Sequence, residues 1–251
     1  MTIVIMTLFF LYGIVFGSFF NVVGLRLPKK ESIISPPSRC TTCDRRLGVF
    51  DLVPVFSYLF LKGKCRGCGS KISAVYPFME YVTGVLFALS FYILGFSAEL
   101  VVALLFMSLL VIITVSDIVY MLIPDKVLFP FAVALFGLRL LIPLAPWWDS
   151  LLGAVVGFGV LFIIMAVSKG GVGGGDVKLF FVLGLVLGTV KVLLTLFLAS
   201  VIGSVVGVVF LKSSGQGRKT PIPFGPSIAL ATIISYFWGA NFVAWYGNLF
   251  F

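Results

Sequence analysis

The segment LVVALLFMSLLVIITVS, residues 100–116, lies between Glu99 and Asp117 and contains no charged residue. Its apolar residues run continuously instead of alternating with polar ones, over a length close to the lower limit for crossing a bilayer. Within lipid the backbone can satisfy its hydrogen bonds only in a helix or a closed barrel, and a continuous apolar run favours the helix. The segment therefore predicts a transmembrane helix that ends in a carboxylate.

The whole chain has the same apolar character. Of its 251 residues, 61% are hydrophobic and only 11% are charged, whereas an ordinary soluble domain has about 25% charged residues. A soluble globule is therefore excluded. The sequence contains no His, which removes Ser-His and Cys-His nucleophilic chemistry and every imidazole-bound metal site from consideration. Any chemistry has to come from carboxylates, thiolates or the backbone.

Breaks at Gly, Pro and charged residues divide the chain into eight candidate spans. The first, from about residue 3 to residue 23, has no basic segment before it, which favours a retained span with an external N-terminus over a cleaved signal peptide. A polar region follows, and then come seven apolar segments: 78–96, 99–116, 126–143, 150–167, 177–189, 192–211 and 227–247. The segment 177–189 is short for a crossing, and its boundary at 189–191 is the weakest in the scheme.

The distribution of basic residues tests this count, because Lys and Arg concentrate in the cytoplasmic loops of membrane proteins. With eight spans, 16 of the 18 basic residues fall on one side, and only Arg139 and Lys191 fall on the other. Ten of the 16 lie in the polar region, which is therefore predicted to be cytoplasmic. The others on that side are Lys126, Lys169, Lys178, Lys212, Arg218 and Lys219. Orientation in the membrane therefore explains the net charge of +9. The expected partner is membrane lipid, and no nucleic acid is expected.

The expected fold is therefore an all-α polytopic membrane protein with about eight transmembrane helices. It would consist of a first transmembrane helix at 1–25, a small cytoplasmic four-Cys zinc domain at 26–76 and a seven-helix membrane core at 77–251.

The four Cys residues form two C-x-x-C pairs, Cys40 with Cys43 and Cys65 with Cys68, separated by 21 residues. Two such pairs are typical of a tetrahedral four-thiolate zinc site, in which each pair supplies two ligands from one tight turn. Structural disulfides or a redox role are the alternatives, and the reducing cytoplasm disfavours disulfides. Four thiolates would close the coordination shell, so the predicted zinc is structural and folds a domain too small for a sufficient core.

Two acids far apart in the sequence are predicted to lie at one depth. Asp117 ends one span on the cytoplasmic side, and Asp176 begins another on the same side. A pair of carboxyls that shares a proton supplies an acid and a base together, because two close like charges resist simultaneous ionisation. In aspartic proteolysis the ionised member activates a water, and the protonated member polarises the peptide carbonyl. A simple interfacial role for both acids is the alternative.

Three features flank these acids and are candidate substrate contacts. Asp125 follows a Pro and is also typical of a first-turn helix charge. Glu80 is the second candidate, or it only faces Lys71 or the zinc domain. The glycines of Gly170 to Gly175 permit close backbone approach of an extended substrate, although a flexible loop would use them too. The candidate substrate-binding residues are Gly173, Gly174, Gly175, Glu80 and Asp125.

Several specific stretches occur in a fixed order along the chain. They are GSFFNVV at 17–23 with RLP at 26–28, GKCR at 63–66, YPFME at 76–80, Asp117 with IPD at 123–125, GGGDVK at 173–178 and PFGP at 223–226. Together with the paired Cys residues they resemble the type IV prepilin peptidases, membrane aspartic proteases of type IV pilus and type II secretion systems. The resemblance covers nearly the whole chain and implies that Asp117 and Asp176 are the catalytic pair, the second in a G-x-G-D motif.

The resemblance also implies the substrate and a second activity. The expected substrates are type IV prepilins or pseudopilins, cut on the cytoplasmic side of the bacterial inner membrane, just after a Gly and before a residue that is commonly Phe. Members with the Cys-bearing domain also methylate the new N-terminal amine with S-adenosylmethionine, and this chain keeps all four Cys. The expected cofactors are therefore structural zinc and S-adenosylmethionine.

Two other classes of function compete with this interpretation. In a polytopic transporter with a zinc-stabilised cytoplasmic domain, Asp117 and Asp176 would bind a proton or a cation. A transporter is expected to place such acids nearer the midplane of the membrane, which these positions do not favour. In a non-catalytic scaffold for pilus assembly, both acids would be dispensable.

Overall fold

The computed structural model describes residues 1–168, 171–214 and 222–250. The predictions for Lys169, Gly170, Arg218 and Lys219 fall outside these residues. Within the described part of the chain the helices are α1 Thr2–Arg26, α2 Phe56–Phe60, α3 Val75–Leu94, α4 Ala98–Tyr120, α5 Asp125–Leu141, α6 Asp149–Val167, α7 Gly174–Leu187, α8 Thr189–Ser214 and α9 Gly225–Phe250. A single 3-10 turn at Val49–Asp51 and two isolated β-bridges complete the regular structure of these residues.

Eight of these helices coincide with the eight predicted spans, and the predicted all-α membrane fold is confirmed. By length and composition, six of the described helices are suited to cross a membrane: α1, α3, α4, α6, α8 and α9. Helix α5 has 17 residues and α7 has 14, which is shorter than the roughly 20 residues of a typical crossing. The count of eight crossings therefore stays a prediction.

Helix α7 is short because the chain breaks at Gly188. This residue has φ +79°, a left-handed conformation that glycine adopts without strain, and α8 begins at the next residue. The carboxylate of Asp149 accepts a hydrogen bond from the backbone N–H of Thr189 at 3.1 Å, which satisfies one donor at the start of α8. The predicted boundary at 189–191 is the weakest in the scheme. In the structure, α7 joins α8 directly at Gly188, just before those residues.

Buried side chains satisfy the last carbonyls of α7. The guanidinium of Arg139 donates to the carbonyl of Val186 at 2.9 Å, and the hydroxyl of Ser150 donates to the carbonyl of Leu185. Arg139 is only 5% exposed. It also donates to the carbonyl of Ile142 at 3.4 Å, so this cation caps two helix ends. Its location opposite the basic side stays a prediction.

The chain forms two compact units, Met1–Val115 and Ser116–Phe251. In the first unit α3 packs along α1, and in the second α6 packs on α7 and α8 on α9. Asp117 and Asp176 both belong to the second unit, whereas all four Cys residues belong to the first. The predicted division at 1–25, 26–76 and 77–251 stays a prediction.

Glycines set the separation of α6 and α7. A Cβ at Gly153 would lie 2.5 Å from the carbonyl oxygen of Gly184, and one at Gly157 would lie 2.5 Å from the carbonyl oxygen of Phe180. Backbone cannot yield as a flexible side chain does. We expect Gly153→Ala to lower the free energy of unfolding by about 1–3 kcal/mol, as overpacking does in other cores, measured by unfolding in mixed detergent micelles.

Gly159→Ala is the matched control, because it lies on the same helix and its Cβ would meet no atom within 4 Å. Its free energy of unfolding should equal or exceed that of the native protein, since Ala is the better helix former. Equal stability of the two variants would contradict the close α6–α7 packing.

Candidate active site and thiolate cluster

Asp117 lies in the last turn of α4, with its carboxylate held by the start of α9. The side chain is 7% exposed, and Oδ2 accepts a hydrogen bond from the backbone N–H of Gly225 at 2.6 Å. Gly225 is the first residue of α9, so the carboxylate lies at the positive end of that helix. A Cβ at position 225 would be 2.8 Å from the same Oδ2 atom. The close contact therefore requires glycine.

Asp176 lies in the first turn of α7, immediately after the glycines. Gly173 has extended backbone angles and forms the N-cap of the helix. The half-buried carboxylate of Asp176 folds back on the backbone N–H of Gly173, as acids at the third helical position do in capping boxes. A Cβ at Gly173 would lie 3.1 Å from Oδ2 of Asp176, and one at Gly175 would lie 3.0 Å from Cβ of Ile123.

The structure brings Asp117 and Asp176 into one electrostatic environment. The negative charge of Asp117 acts directly on Asp176 and disfavours a second negative charge there. Both carboxylates are also held by backbone N–H groups near helix starts, Gly225 for the first and Gly173 for the second. Two acids held in this way can exist as one charged and one neutral carboxyl, which is the arrangement needed for coupled acid and base chemistry.

Asp125, a predicted substrate contact, forms an ion pair with Lys178. The Nζ atom of Lys178 lies 2.9 and 2.8 Å from the two carboxylate oxygens. Both side chains are more than half exposed, at 66% for Asp125 and 54% for Lys178. The pair therefore contributes little to stability, and Asp125 is already engaged by a cation of its own chain.

An apolar groove of about 820 Å³ begins at this ion pair. It runs between α5, α6 and α7, and aromatic rings from all three helices line it. These rings belong to Phe129, Phe136, Phe158 and Phe181. Its lining includes Lys178, two residues after Asp176 on α7.

Glu80, the other acid predicted to contact substrate, is buried in α3. It is 8% exposed, and its Oε2 accepts a hydrogen bond from the backbone N–H of Val55 at 2.7 Å. The hydroxyl of Ser18 on α1 also contacts this carboxylate. Glu80 therefore faces the backbone of the Cys-bearing region, and a role in binding substrate stays a prediction.

The four Cys residues converge in the first unit. Their Sγ atoms all lie within 4.8 Å of one another, with 3.8 Å between Cys40 and Cys68 and 4.0 Å between Cys43 and Cys65. A tetrahedral zinc with Zn–S bonds of about 2.3 Å requires sulfur separations of about 3.8 Å. A disulfide requires about 2.05 Å, and none of the four is oxidised to a disulfide. The donor set and the spacing fit a metal with four thiolate ligands.

The two Cys turns have the same backbone design. In each, the N–H of the first Cys donates to the carbonyl five residues later, Arg45 in one turn and Ser70 in the other. The residue after the second Cys has positive φ in both turns, 53° at Asp44 and 71° at Gly69. Glycine adopts this conformation freely and Asp tolerates it, so two unlike sequences form equivalent ligand turns.

Hydrogen bonds within the cluster shift the pKa values of the thiols in both directions, and the pKa of Cys43 is raised to about 11. They lower the pKa of Cys40 to about 5, with the bond from the backbone N–H of Thr42 as the largest cause. The hydrogen bond from Ser70 is the largest cause of a lowered pKa at Cys68. Two of the four ligands thus favour the thiolate form that coordinates metal.

Asp51 links the two Cys turns. Its carboxylate lies 3.2 Å from Nη2 of Arg45 and 3.1 Å from Nε of Arg66, and these two arginines belong to different turns. Sequence reasoning missed this residue, because neither its spacing nor its neighbours distinguish it from other polar-region acids. It also missed the hydrogen bond from Gly225 to Asp117, for which the PFGP stretch at 223–226 was the available signal.

Comparison with known proteins agrees with this geometry. Residues 104–208, which contain both Asp117 and Asp176, match the model of the type IV leader peptidase family, and residues 11–94 match that of the bacterial peptidase A24 N-terminal domain. The chain is 42% identical over 241 residues to a prepilin leader peptidase/N-methyltransferase of Bacillus subtilis, covering 96% of this chain and 97% of the relative. The chain belongs to the type IV leader peptidase family.

Other members of this family are also similar along nearly their whole length. Prepilin leader peptidase/N-methyltransferases of Aeromonas salmonicida and Xanthomonas campestris are 32% identical over 270 residues and 33% identical over 265. These alignments cover 96% and 93% of this chain, and 93% and 91% of the relatives. No solved structure matches the chain significantly. Family membership confirms the resemblance to prepilin peptidases and gives the transporter interpretation no support.

Proposed function

We propose that this protein cleaves the leader peptides of type IV prepilins or pseudopilins, after Gly, and then methylates the new N-terminal residue. The observation that supports this most is that Asp117 and Asp176, from different helices, share one electrostatic environment within the unit Ser116–Phe251. The family names of the relatives supply the substrate class and the second activity.

In the proposed mechanism the two acids divide the roles of base and acid. The ionised carboxyl takes a proton from a water, which attacks the carbonyl carbon of the scissile peptide. The neutral carboxyl donates to the carbonyl oxygen and later to the leaving amine. The N–H of Gly225 holds Asp117 in place, and the absent side chains at Gly173, Gly174 and Gly175 leave the backbone accessible to an extended substrate.

The groove between α5, α6 and α7 suits the apolar part of such a substrate. Its aromatic lining would bury apolar side chains that follow the scissile bond. The ion pair of Asp125 and Lys178 would meet polar groups of the substrate at the membrane surface. The protein would lie in the bacterial inner membrane as a polytopic protein, with the four-Cys region and both acids on the cytoplasmic side. This orientation would explain why most basic residues fall on one side.

Two cofactors complete the proposal. Zinc would be held by Cys40, Cys43, Cys65 and Cys68 and would stabilise the fold of their region, because four thiolates leave no open position for catalysis. S-adenosylmethionine would supply the methyl group, and the N-methyltransferase name of the relatives calls for a donor of this kind.

The test uses the purified protein in detergent with a full-length prepilin, with and without S-adenosylmethionine. We expect a shortened product in both reactions and a further methyl mass only with the donor. A prepilin left uncut by folded protein would refute the peptidase function. A cut product that gains no mass with the donor would refute the methyltransferase function alone.

The contact between Gly225 and Asp117 provides a finer prediction. In Gly225→Ala the new Cβ would lie 2.8 Å from Oδ2, so the carboxylate has to move. We expect the rate of cleavage to fall about 10- to 100-fold, because small misplacements of catalytic groups are costly. The measurement is kcat/KM for prepilin cleavage, compared with the stability of the same variant.

Gly247→Ala is the control for this variant, because it lies on the same helix and its Cβ would meet no atom within 4 Å. It should cleave at the native rate. A Gly225→Ala protein that cleaves equally well would show that this hydrogen bond does not position Asp117 for catalysis.

A further inference from the structure

Cleavage and methylation need different chemistry, and the structure provides polar sites in both units. Removal of a leader peptide exposes a primary amine, which is protonated in water and has to lose a proton before it can attack a methyl donor. The proposed peptidase acids lie in the unit Ser116–Phe251. The first unit contains the matched N-terminal family domain and a second buried acid, Glu80.

Glu80 lies in the seam between α1 and α3. A Cβ at Gly17 of α1 would be 2.8 Å from Cα of Glu80, and Nδ2 of Asn21 donates to the carbonyl of Tyr76 at 3.1 Å. One turn forward on α1 thus corresponds to one turn back on α3, so the two helices are antiparallel. Side chains of a helix tilt toward its N-terminus, which directs Glu80 toward the level of Tyr76 and Asn21.

This seam contains a buried acceptor without a hydrogen-bond donor, Oδ1 of Asn21, and an acid whose described donors are neutral. The described contacts of the Glu80 carboxylate are the N–H of Val55 and the hydroxyl of Ser18, and neither group carries a charge. Asn21 is 5% exposed, and its Oδ1 atom is buried without a hydrogen-bond partner. Such groups are costly to bury unless something binds them. A buried acid in a membrane protein is also a functional candidate by default.

The backbone that contacts Glu80 is strained. Val55 has φ +62° and ψ −53°, which a β-branched residue rarely adopts, and it points its N–H at the carboxylate in this conformation. Strain of this kind persists where the surrounding structure enforces it, often at functional sites. The contact fixes one carboxylate oxygen of Glu80.

We infer that Glu80 and Asn21 form the site that receives the α-amine of the cleaved product for methylation, an assignment that rests on the proposed function. An ammonium group has three N–H donors and a positive charge, which complement a carboxylate and an amide oxygen. Glu80 takes one proton from the ammonium. The nitrogen lone pair then attacks the methyl carbon of the sulfonium donor, the carbon–sulfur bond breaks with its electrons going to sulfur, and an N-methyl ammonium is formed.

The test is Glu80→Gln in the full-length protein with a prepilin and S-adenosylmethionine. Glutamine still accepts the Val55 hydrogen bond but takes no proton from the amine. We expect methyl incorporation into a pre-cleaved product to fall about 100-fold, the usual size of a lost general base. Native methylation in this variant would overturn the assignment. Loss of both activities at native thermal stability would also overturn it, because Glu80 would then act in cleavage.

If Glu80→Gln does not fold, Asn21→Ala provides a second test of the proposed amine site. With a pre-cleaved product as substrate, we expect KM for methylation to rise about 10-fold, as loss of a hydrogen bond to a charged group predicts, with cleavage of prepilin unchanged. An unchanged KM would refute the site.

Thr83→Val is the matched control. This buried residue of the same seam already donates a hydrogen bond within α3, to the carbonyl of Met79 at 2.7 Å, and the variant should keep both activities. Failure of the native protein to cleave or methylate would instead refute the proposed function.

Discussion

Replacing either Asp117 or Asp176 by Asn should lower the rate of prepilin cleavage at least about 1,000-fold, within the range expected for loss of an acid–base group. The amide keeps the volume and can still accept the backbone hydrogen bond from Gly225 or Gly173, but it neither takes up nor releases the proton. The two single variants and the double variant should be almost equally inactive, because the acids act as one unit. The measurement is single-turnover cleavage of a purified prepilin.

Asp44→Asn is the matched control for these variants. It makes the same chemical change at an exposed acid of the four-Cys region, and Asn tolerates the positive φ of 53° found there. Its cleavage rate should be native. Residual cleavage above about a tenth of the native rate in Asp117→Asn or Asp176→Asn would contradict the paired mechanism. Both variants should still methylate a pre-cleaved product, which separates lost chemistry from lost folding.

The helices could be predicted closely because their limits are local. Charged residues, Pro and Gly end each apolar run, so predicted segments such as 150–167 differ from the observed Asp149–Val167 by a single residue. The spacing of the Cys pairs was equally informative, since two C-x-x-C turns need only one contact between them to form the cluster. In both cases the decisive information lies within a few residues of sequence.

Contacts between distant segments could not be predicted in this way. The N–H of Gly225 reaches Asp117 across 108 positions, and Arg139 donates to Val186 across 47. Charge counting gave no reason why Arg139 should be an exception to the basic side, whereas the structure shows it buried, with its guanidinium at the end of α7. The burial of Glu80 was missed for a related reason: nothing in its neighbourhood shows which helix will pack over it.

Removal of the metal is the second change for which we expect a large effect, and that effect falls on the four-Cys region. We expect the purified protein to contain one zinc per chain, and Cys65→Ser to lose it. Cys65 is 6% exposed, and its backbone N–H also holds the second Cys turn at 2.8 Å from the carbonyl of Ser70. Structural zinc in small domains contributes about 10–16 kcal/mol of apparent binding free energy at neutral pH. The region 26–76 has few other buried side chains to replace that contribution.

The expected readouts are metal content and limited proteolysis rather than activity alone. A strong chelator or Cys65→Ser should expose the region 26–76 to protease while the helices of Ser116–Phe251 stay protected, because those helices pack on one another without the cluster. Ser57→Ala, in α2 of the same region, should retain zinc and protease resistance. Protein that holds no zinc, or that resists protease equally after its removal, would contradict a structural metal. In that case the ion pairs of Asp51 with Arg45 and Arg66, together with the contact between Cys40 and Ser70, would have to hold the two Cys turns together. The two arginine side chains are about half exposed, at 41% and 50%, and ion pairs with solvent-exposed partners contribute little.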